Sequence, residues 1–153
     1  MRPILATALA CLASACATVS APPAQATDCA YAPKELVTRF MTQFMVEKDV
    51  RGAFETYVDP GYIQHNPMAQ TGRDAAIAFL EPFFASNPDI EYSIKRVIAD
   101  GDLVAVHSHG RFSKDDRGIA VVDILRVENC RVVEHWDVVQ PVPEKSANDN
   151  GMF

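Results

Sequence analysis

From Lys34 onward the apolar residues Leu36, Val37, Phe40, Met41, Phe44 and Met45 recur at three- and four-residue spacing, the stripe of an amphipathic helix. A second, shorter stripe of Val50, Ala53, Phe54 and Tyr57 predicts a helix that stops at Asp59-Pro60-Gly61. Residues 62–70 are polar and read as a loop. Thr71, with Asp74 three positions on, resembles a helix N-cap; Ala75, Ala76, Phe79, Leu80, Phe83 and Phe84 then form a third helix that ends at Asn87-Pro88. Pro82 lies inside it and is expected to kink or shorten it, because proline removes a backbone donor and crowds the preceding turn.

Beyond this point the period changes. Residues 90–99 alternate, Asp100-Gly101-Asp102 is a turn signal, and 103–112, 118–128 and 132–139 read as strands between polar turns. Helices first and consecutive strands second predict the α+β class, with N-terminal helices packed on one face of a mostly antiparallel sheet.

The N-terminal residues follow neither pattern. Arg2 precedes an apolar run over 4–17 that is rich in Ala and Leu, and Ala24-Gln25-Ala26 before Thr27 is a small-x-small cleavage site, together a secretory signal over 1–26. Leu12-Ala13-Ser14-Ala15-Cys16 resembles a bacterial lipobox, so lipoprotein processing at Cys16 is the alternative. Thr, Ser and Cys interrupt the run and Pro22-Pro23 ends it, which argues against a membrane span. The organisation is then signal 1–26, linker 27–33, one domain 34–142 and tail 143–153, in a periplasmic or secreted bacterial protein. Export leaves Cys29 and Cys130 in an oxidising compartment, where an even pair suggests one disulfide; two free thiols are the alternative.

At 153 residues and 48% hydrophobic, the chain suffices for one domain with a proper core. A net charge of -6 without a basic patch disfavours nucleic acid or an anionic membrane surface as partner. There is no phosphate loop, CxxC pair, serine nucleophile motif or nucleotide fingerprint, and no cofactor is expected.

Three ionisable residues sit inside apolar strands and need a reason to be there, since burying a charge is costly unless it is paired or neutralised. Asp123 lies in Val121-Val122-Asp123-Ile124-Leu125, and His135 and Asp137 in Val132-Val133-Glu134-His135-Trp136-Asp137. Alternation gives His135 and Asp137 one face and groups Asp123 with Val121 and Leu125. If all three face the helices they share a cavity. A carboxyl group there has a raised pKa, suited to a general base near neutrality or to a neutral acid that donates to an oxyanion. The plainer reading of Asp123 is a salt bridge to Arg126. His107 and His109 share a face at metal-ligand spacing, and with Gly101 they resemble the start of the cupin motif. The following residues 110–114 supply no Glu, so no metal is expected, and the two histidines equally suit hydrogen bonds on the other sheet face.

Tyr62-Ile63-Gln64-His65-Asn66-Pro67, Ala120-Val121-Val122-Asp123-Ile124, Arg126-Val127-Glu128, the segment from Val132 to Gln140 and the closing residues 148–153 together resemble the SnoaL-like branch of the nuclear transport factor 2 superfamily. The resemblance spans 34–153. It implies a cone-shaped α+β barrel, with helices closing a strongly curved sheet around a deep pocket. Members include ketosteroid isomerases, polyketide cyclases that run an intramolecular aldol closure, dehydratases and proteins of unknown role. By this resemblance Asp123 matches the buried acid that isomerases use as oxyanion donor, and His135, Asp137 and Val139 turn toward the cavity while Glu134 and Trp136 face away. The isomerases' general base is an Asp before Pro; here Asn66 precedes Pro67, so a proton would pass to Asp123, Asp137, His65 or His135. Tyr62, Asn66, His107, His109 and Val139 complete the expected substrate contacts. Three readings follow: a cofactor-independent lyase or isomerase of aldol, cyclase or dehydratase type acting on a small apolar carbonyl compound; a non-catalytic periplasmic small-molecule binder; and a dimeric interaction module. A homodimer through the sheet face bearing Glu134 and Trp136 is expected.

Overall fold

The structure, a computed structural model, describes residues 29–153; the expected signal sequence, both candidate cleavage sites, Cys11 and Cys16 lie outside the described residues. Helix α1 (Pro33–Met41) starts with a proline whose missing amide would have had no helical partner, and carries Glu35 in its first turn and Arg39 in its last, both signs matching the helix dipole. Its stripe Leu36, Val37, Phe40 and Met41 is buried. A π-helical turn (Thr42–Val46) prolongs it and keeps Phe44 and Met45 inside. Asp49 then caps α2 (Val50–Tyr57) by accepting the Gly52 N–H at 3.0 Å.

The polar stretch after α2 departs from the expected loop. Strand β1 (Val58–Gln64) runs directly out of the helix and pairs in parallel with β5 (Arg131–Pro141), placing Ile63 beside Glu134 and Gln64 beside His135. A register shift between Val58 and Ile63 accommodates Pro60 and Gly61, and because β1 is an edge strand the missing proline donor costs the sheet nothing. Helix α3 (Arg73–Ser86) begins after Gly72, which is the N-cap at φ 106 and has no side chain to offer. Thr71 is not the cap; its hydroxyl accepts the Gln64 N–H at 3.3 Å. Pro82 does not end α3, which continues to Ser86.

Strands β2 (Glu91–Asp100), β3 (Leu103–Arg111) and β4 (Ile119–Glu128) complete a five-stranded mixed sheet in the order β1-β5-β4-β3-β2. Neither edge, β1 nor β2, pairs with the other, so the sheet is open where the resemblance implied a barrel. One face is covered: α1 lies against β2 and β3, and α2 and α3 lie against β1. Between the layers Phe40 meets Phe54 edge-on at 5.1 Å, and Val104, Val106, Leu125 and Val132 are fully or almost fully buried. This is the α+β architecture expected from element order. The β4–β5 turn takes Asn129 and Cys130 through positive φ, and Cys130 is bonded to Cys29, 101 positions earlier, with Cα atoms 5.3 Å apart. No described helix is long and apolar enough to cross a membrane.

Candidate functional site

The site is built where β1, β4 and β5 run side by side. In the β4–β5 register Asp123 is opposite Asp137, Leu125 opposite His135 and Val121 opposite Val139. His135 reaches diagonally, its Nε2 3.0 Å from Asp123 Oδ1. Its other ring nitrogen, Nδ1, lies 2.8 Å from Gln64 Oε1 because the parallel pairing sets Gln64 beside it. Gln64 Oε1 also accepts the Asn66 backbone N–H at 2.9 Å, while Gln64 Nε2 donates to the Tyr62 hydroxyl at 3.2 Å. Asn66 Nδ2 donates to Asp137 Oδ2 at 2.8 Å, and the Tyr62 ring stacks on the imidazole with centroids 6.4 Å apart. Six polar side chains, Asp123, His135, Gln64, Tyr62, Asn66 and Asp137, thus belong to one connected network, and Asn66 holds the second acid.

These groups form one side of a cavity of about 170 Å³; phenylalanines 40, 44, 54 and 83 and Leu80 supply much of the rest. Asp123 is only 4% exposed. Burial pushes its carboxyl pKa above the usual carboxylate range; the hydrogen bond from His135 pulls it partly back, and the nearby Asp137 charge pushes it up again. Its Oδ2 is buried without a hydrogen-bond partner. Two phenols line the same space. Burial, with Asp123 adding repulsion, raises the Tyr92 phenol to about 12 and pushes Tyr62 well above its ordinary value, so both hold their protons at neutral pH and can donate. Tyr92 packs against Gly110, where a Cβ would come within 2.7 Å of its ring.

Tyr62, Asn66, Asp123, His135, Asp137 and Val139 therefore all line the cavity. His65 does not. Its ring stacks on Trp136 at 4.7 Å and its Nε2 donates to Glu134 Oε1 at 2.8 Å, because the residue after an inward Gln64 turns to the other face. His107 and His109 also lie outside the cavity: the inward positions of β3 are Val104, Val106, Ser108 and Gly110. On the outer face Arg96 donates to His107 Nδ1 at 2.6 Å, His109 Nε2 donates to the Arg117 carbonyl at 2.8 Å, and the Phe153 ring stacks on both imidazoles. Partial burial and the charges of Arg96 and Lys95 lower the His107 pKa. Arg126 does not pair with Asp123; it binds Glu134 and Glu128, each at 2.8 Å. Among the described residues no three His, Cys, Asp or Glu side chains gather to hold a metal.

Two cavity residues, Gln64 and Tyr92, escape the sequence reading. Gln64 is two positions from Tyr62, a spacing that puts both on one strand face, but reading 62–70 as a loop hides it. Tyr92 alternates with Ile94 on β2, a signal that marks an inward position without marking chemistry.

The SnoaL-like domain family matches residues 37–135. No curated protein is significantly similar in sequence. Among solved structures, an NTF2-like protein of unknown function from Cytophaga hutchinsonii superposes with a TM-score of 0.60 at 13% identity, covering 74% of this chain and 95% of that one. A SnoaL-like protein of unknown function from Burkholderia thailandensis gives 0.60 at 18% identity, covering 71% and 94%. A candidate polyketide cyclase from Acidithiobacillus ferrooxidans gives 0.58 at 19% identity, covering 72% and 89%. At these identities the structural likeness is one of fold. With the family match running through α1 to His135 in β5, the chain belongs to the SnoaL-like domain family, on an NTF2-like α+β fold.

Proposed function

We propose that this SnoaL-like protein is a cofactor-independent lyase or isomerase that moves a proton next to the carbonyl of a small apolar substrate. The observation that carries the reading is Asp123: a carboxyl group in an apolar wall, one oxygen bonded to His135 and the other buried and unpartnered. A base of raised pKa is matched to proton transfer near neutrality. Asp123 takes the proton from the carbon beside the carbonyl, His135 stabilises the charge on the pair, and the phenols of Tyr62 and Tyr92 donate to the oxygen as it becomes enolate-like. Returning the proton to another carbon completes an isomerisation. Passing it to a departing hydroxyl completes a dehydration, and attack of the enolate carbon on a second carbonyl makes an aldol bond, the new alkoxide taking the proton back from Asp123. The cavity is close to the roughly 150 Å³ that accommodates benzene in an engineered apolar site, so the substrate fragment held there is about one ring in size.

The test needs no prior substrate. Small cyclic ketones such as cyclohexanone are incubated with the protein in D2O and exchange of the α-hydrogens is followed by NMR. Exchange above buffer is expected, with Asp123→Asn slower by on the order of a hundredfold or more. Exchange at the buffer rate across the ketone panel sinks the catalytic reading.

Two further parts of the reading concern its setting. The Cys29 to Cys130 bridge and the N-terminal sequence pattern support a periplasmic or secreted location. The outer sheet face, which carries Ile98 and Val138, 63% and 66% exposed, and a half-buried Trp136, supports a homodimer through that face.

A further inference from the structure

The uncommitted hydrogen-bonding capacity of the network decides what the cavity can hold. The Asn66 backbone N–H can only donate, so the Gln64 atom that meets it at 2.9 Å is the carboxamide oxygen, and this fixes the orientation of the whole amide. His135 Nδ1 stands 2.8 Å from that same oxygen and therefore carries a hydrogen. With Nδ1 protonated, one more proton lies between His135 Nε2 and Asp123 Oδ1, 3.0 Å apart, and belongs to one atom or the other. The pair is either acid and neutral imidazole or carboxylate and imidazolium. In both forms Asp123 Oδ2 has lone pairs and no hydrogen. It is a buried acceptor without a donor. The Tyr62 oxygen, in contrast, already accepts from Gln64 Nε2, so its own O–H is the part left to use.

We propose that Gln64 is a positioning residue that holds the His135 proton on Nδ1, and that Asp123 consequently meets its occupant as a hydrogen-bond acceptor, so that the cavity takes a compact aromatic or alicyclic molecule bearing a hydroxyl group. The proposal rests on the site reading above and deepens it by naming the ligand class. It also reverses the donor role that the resemblance to isomerases implied for Asp123. The phenyl-lined wall selects the ring, the volume limits it to about one ring, and the empty oxygen selects the hydroxyl.

Nitrogen-15 NMR of ligand-free, histidine-labelled protein distinguishes a protonated ring nitrogen from one with a lone pair. The wild type is expected to show His135 with hydrogen on Nδ1. Gln64→Met, which keeps length but offers no acceptor oxygen, should lose this fixed state, and Gln64→Glu, which restores an acceptor, should recover it. A lone pair on Nδ1 in the wild type, or an unchanged His135 signal in Gln64→Met, overturns the proposal. Binding provides a second measurement that does not depend on how the Gln64 variants fold. Phenol should bind the wild type about fivefold or more tightly than toluene, a hydrogen bond's worth. The preference should vanish in Asp123→Leu and persist in Asp123→Asn, whose amide can donate to His135 Nε2 and leave its oxygen free to accept. Toluene binding as tightly as phenol, or a preference unmoved in Asp123→Leu, overturns the ligand assignment. An Nδ1–H tautomer and a phenol preference in a protein that exchanges no ketone hydrogens would support this proposal and remove the catalytic reading alone.

Discussion

His135 lies 3.0 Å from Asp123 across two adjacent strands, although the residue directly opposite Asp123 is a second acid, Asp137. Two carboxylates facing each other in a sheet repel. Here each has its own partner: His135 bonds Asp123, and Asn66 donates to Asp137 at 2.8 Å. The arrangement turns a local conflict into a site with one bonded carboxyl–imidazole pair and one unfilled acceptor oxygen.

The raised Asp123 pKa fixes a pH dependence of stability. A carboxyl group whose folded value lies above its unfolded value of 3.8 binds protons more tightly when folded. Its stabilising contribution is complete below 3.8 and is lost as pH rises through the folded value. Asp123→Asn does not titrate, so relative to wild type it should gain stability as pH rises from about 4 toward neutrality. Urea unfolding of both proteins from pH 4 to 8 measures this; parallel stability curves would refute it.

Gly110 sets the position of Tyr92. A methyl group there would come within 2.7 Å of the Tyr92 ring, and the backbone is not at positive φ, so the effect of Gly110→Ala is steric. It should cost about 1–3 kcal/mol, as overpacking does, and weaken binding of any cavity ligand. Chemical denaturation together with phenol titration reads both effects, and wild-type values for both would show that Tyr92 yields freely.

The Cys29 to Cys130 bridge ties the segment ahead of α1 to the β4–β5 turn across 101 positions of sequence. Reduction, or Cys29→Ser, should lower stability by about 2–4 kcal/mol with the cavity network intact. Thermal unfolding with and without reductant checks the first part, and intact mass before and after reduction should differ by two hydrogens. Thiols that alkylate fully without reductant would refute the bridge.

On the outer sheet face, Val138→Glu should leave the fold intact, since Val138 is 66% exposed, yet convert a dimer into monomers by burying a charge at the contact. Sedimentation at micromolar concentration is the measurement. A wild type that sediments as a monomer contradicts the dimer outright, and a dimeric Val138→Glu moves the contact elsewhere on the surface.

What the sequence determined by itself is what nearest neighbours decide. The stripe from Leu36 to Met45, the shorter stripe of Val50 to Tyr57 and the alternation of the last four strands depend on spacings of two, three or four residues. All are seen where expected. Asp123, His135 and Asp137 are legible as a site for the same reason, as ionisable groups at inward positions of apolar strands. Strand β1 is different. Pro60 and Gly61 speak locally for a turn, and residues up to Gln64 become a strand only because β5, some seventy positions on, offers an edge to pair with. That pairing puts Gln64 against His135 and so creates the network. The face taken by His107 and His109 was equally undecided, because a strand alternates between two faces and only the helices packed on the sheet make one of them the inside. The raised pKa of Asp123 belongs to this level too: a carboxyl group is perturbed by what surrounds it, and its surroundings come from three separate strands and the helices that cover them.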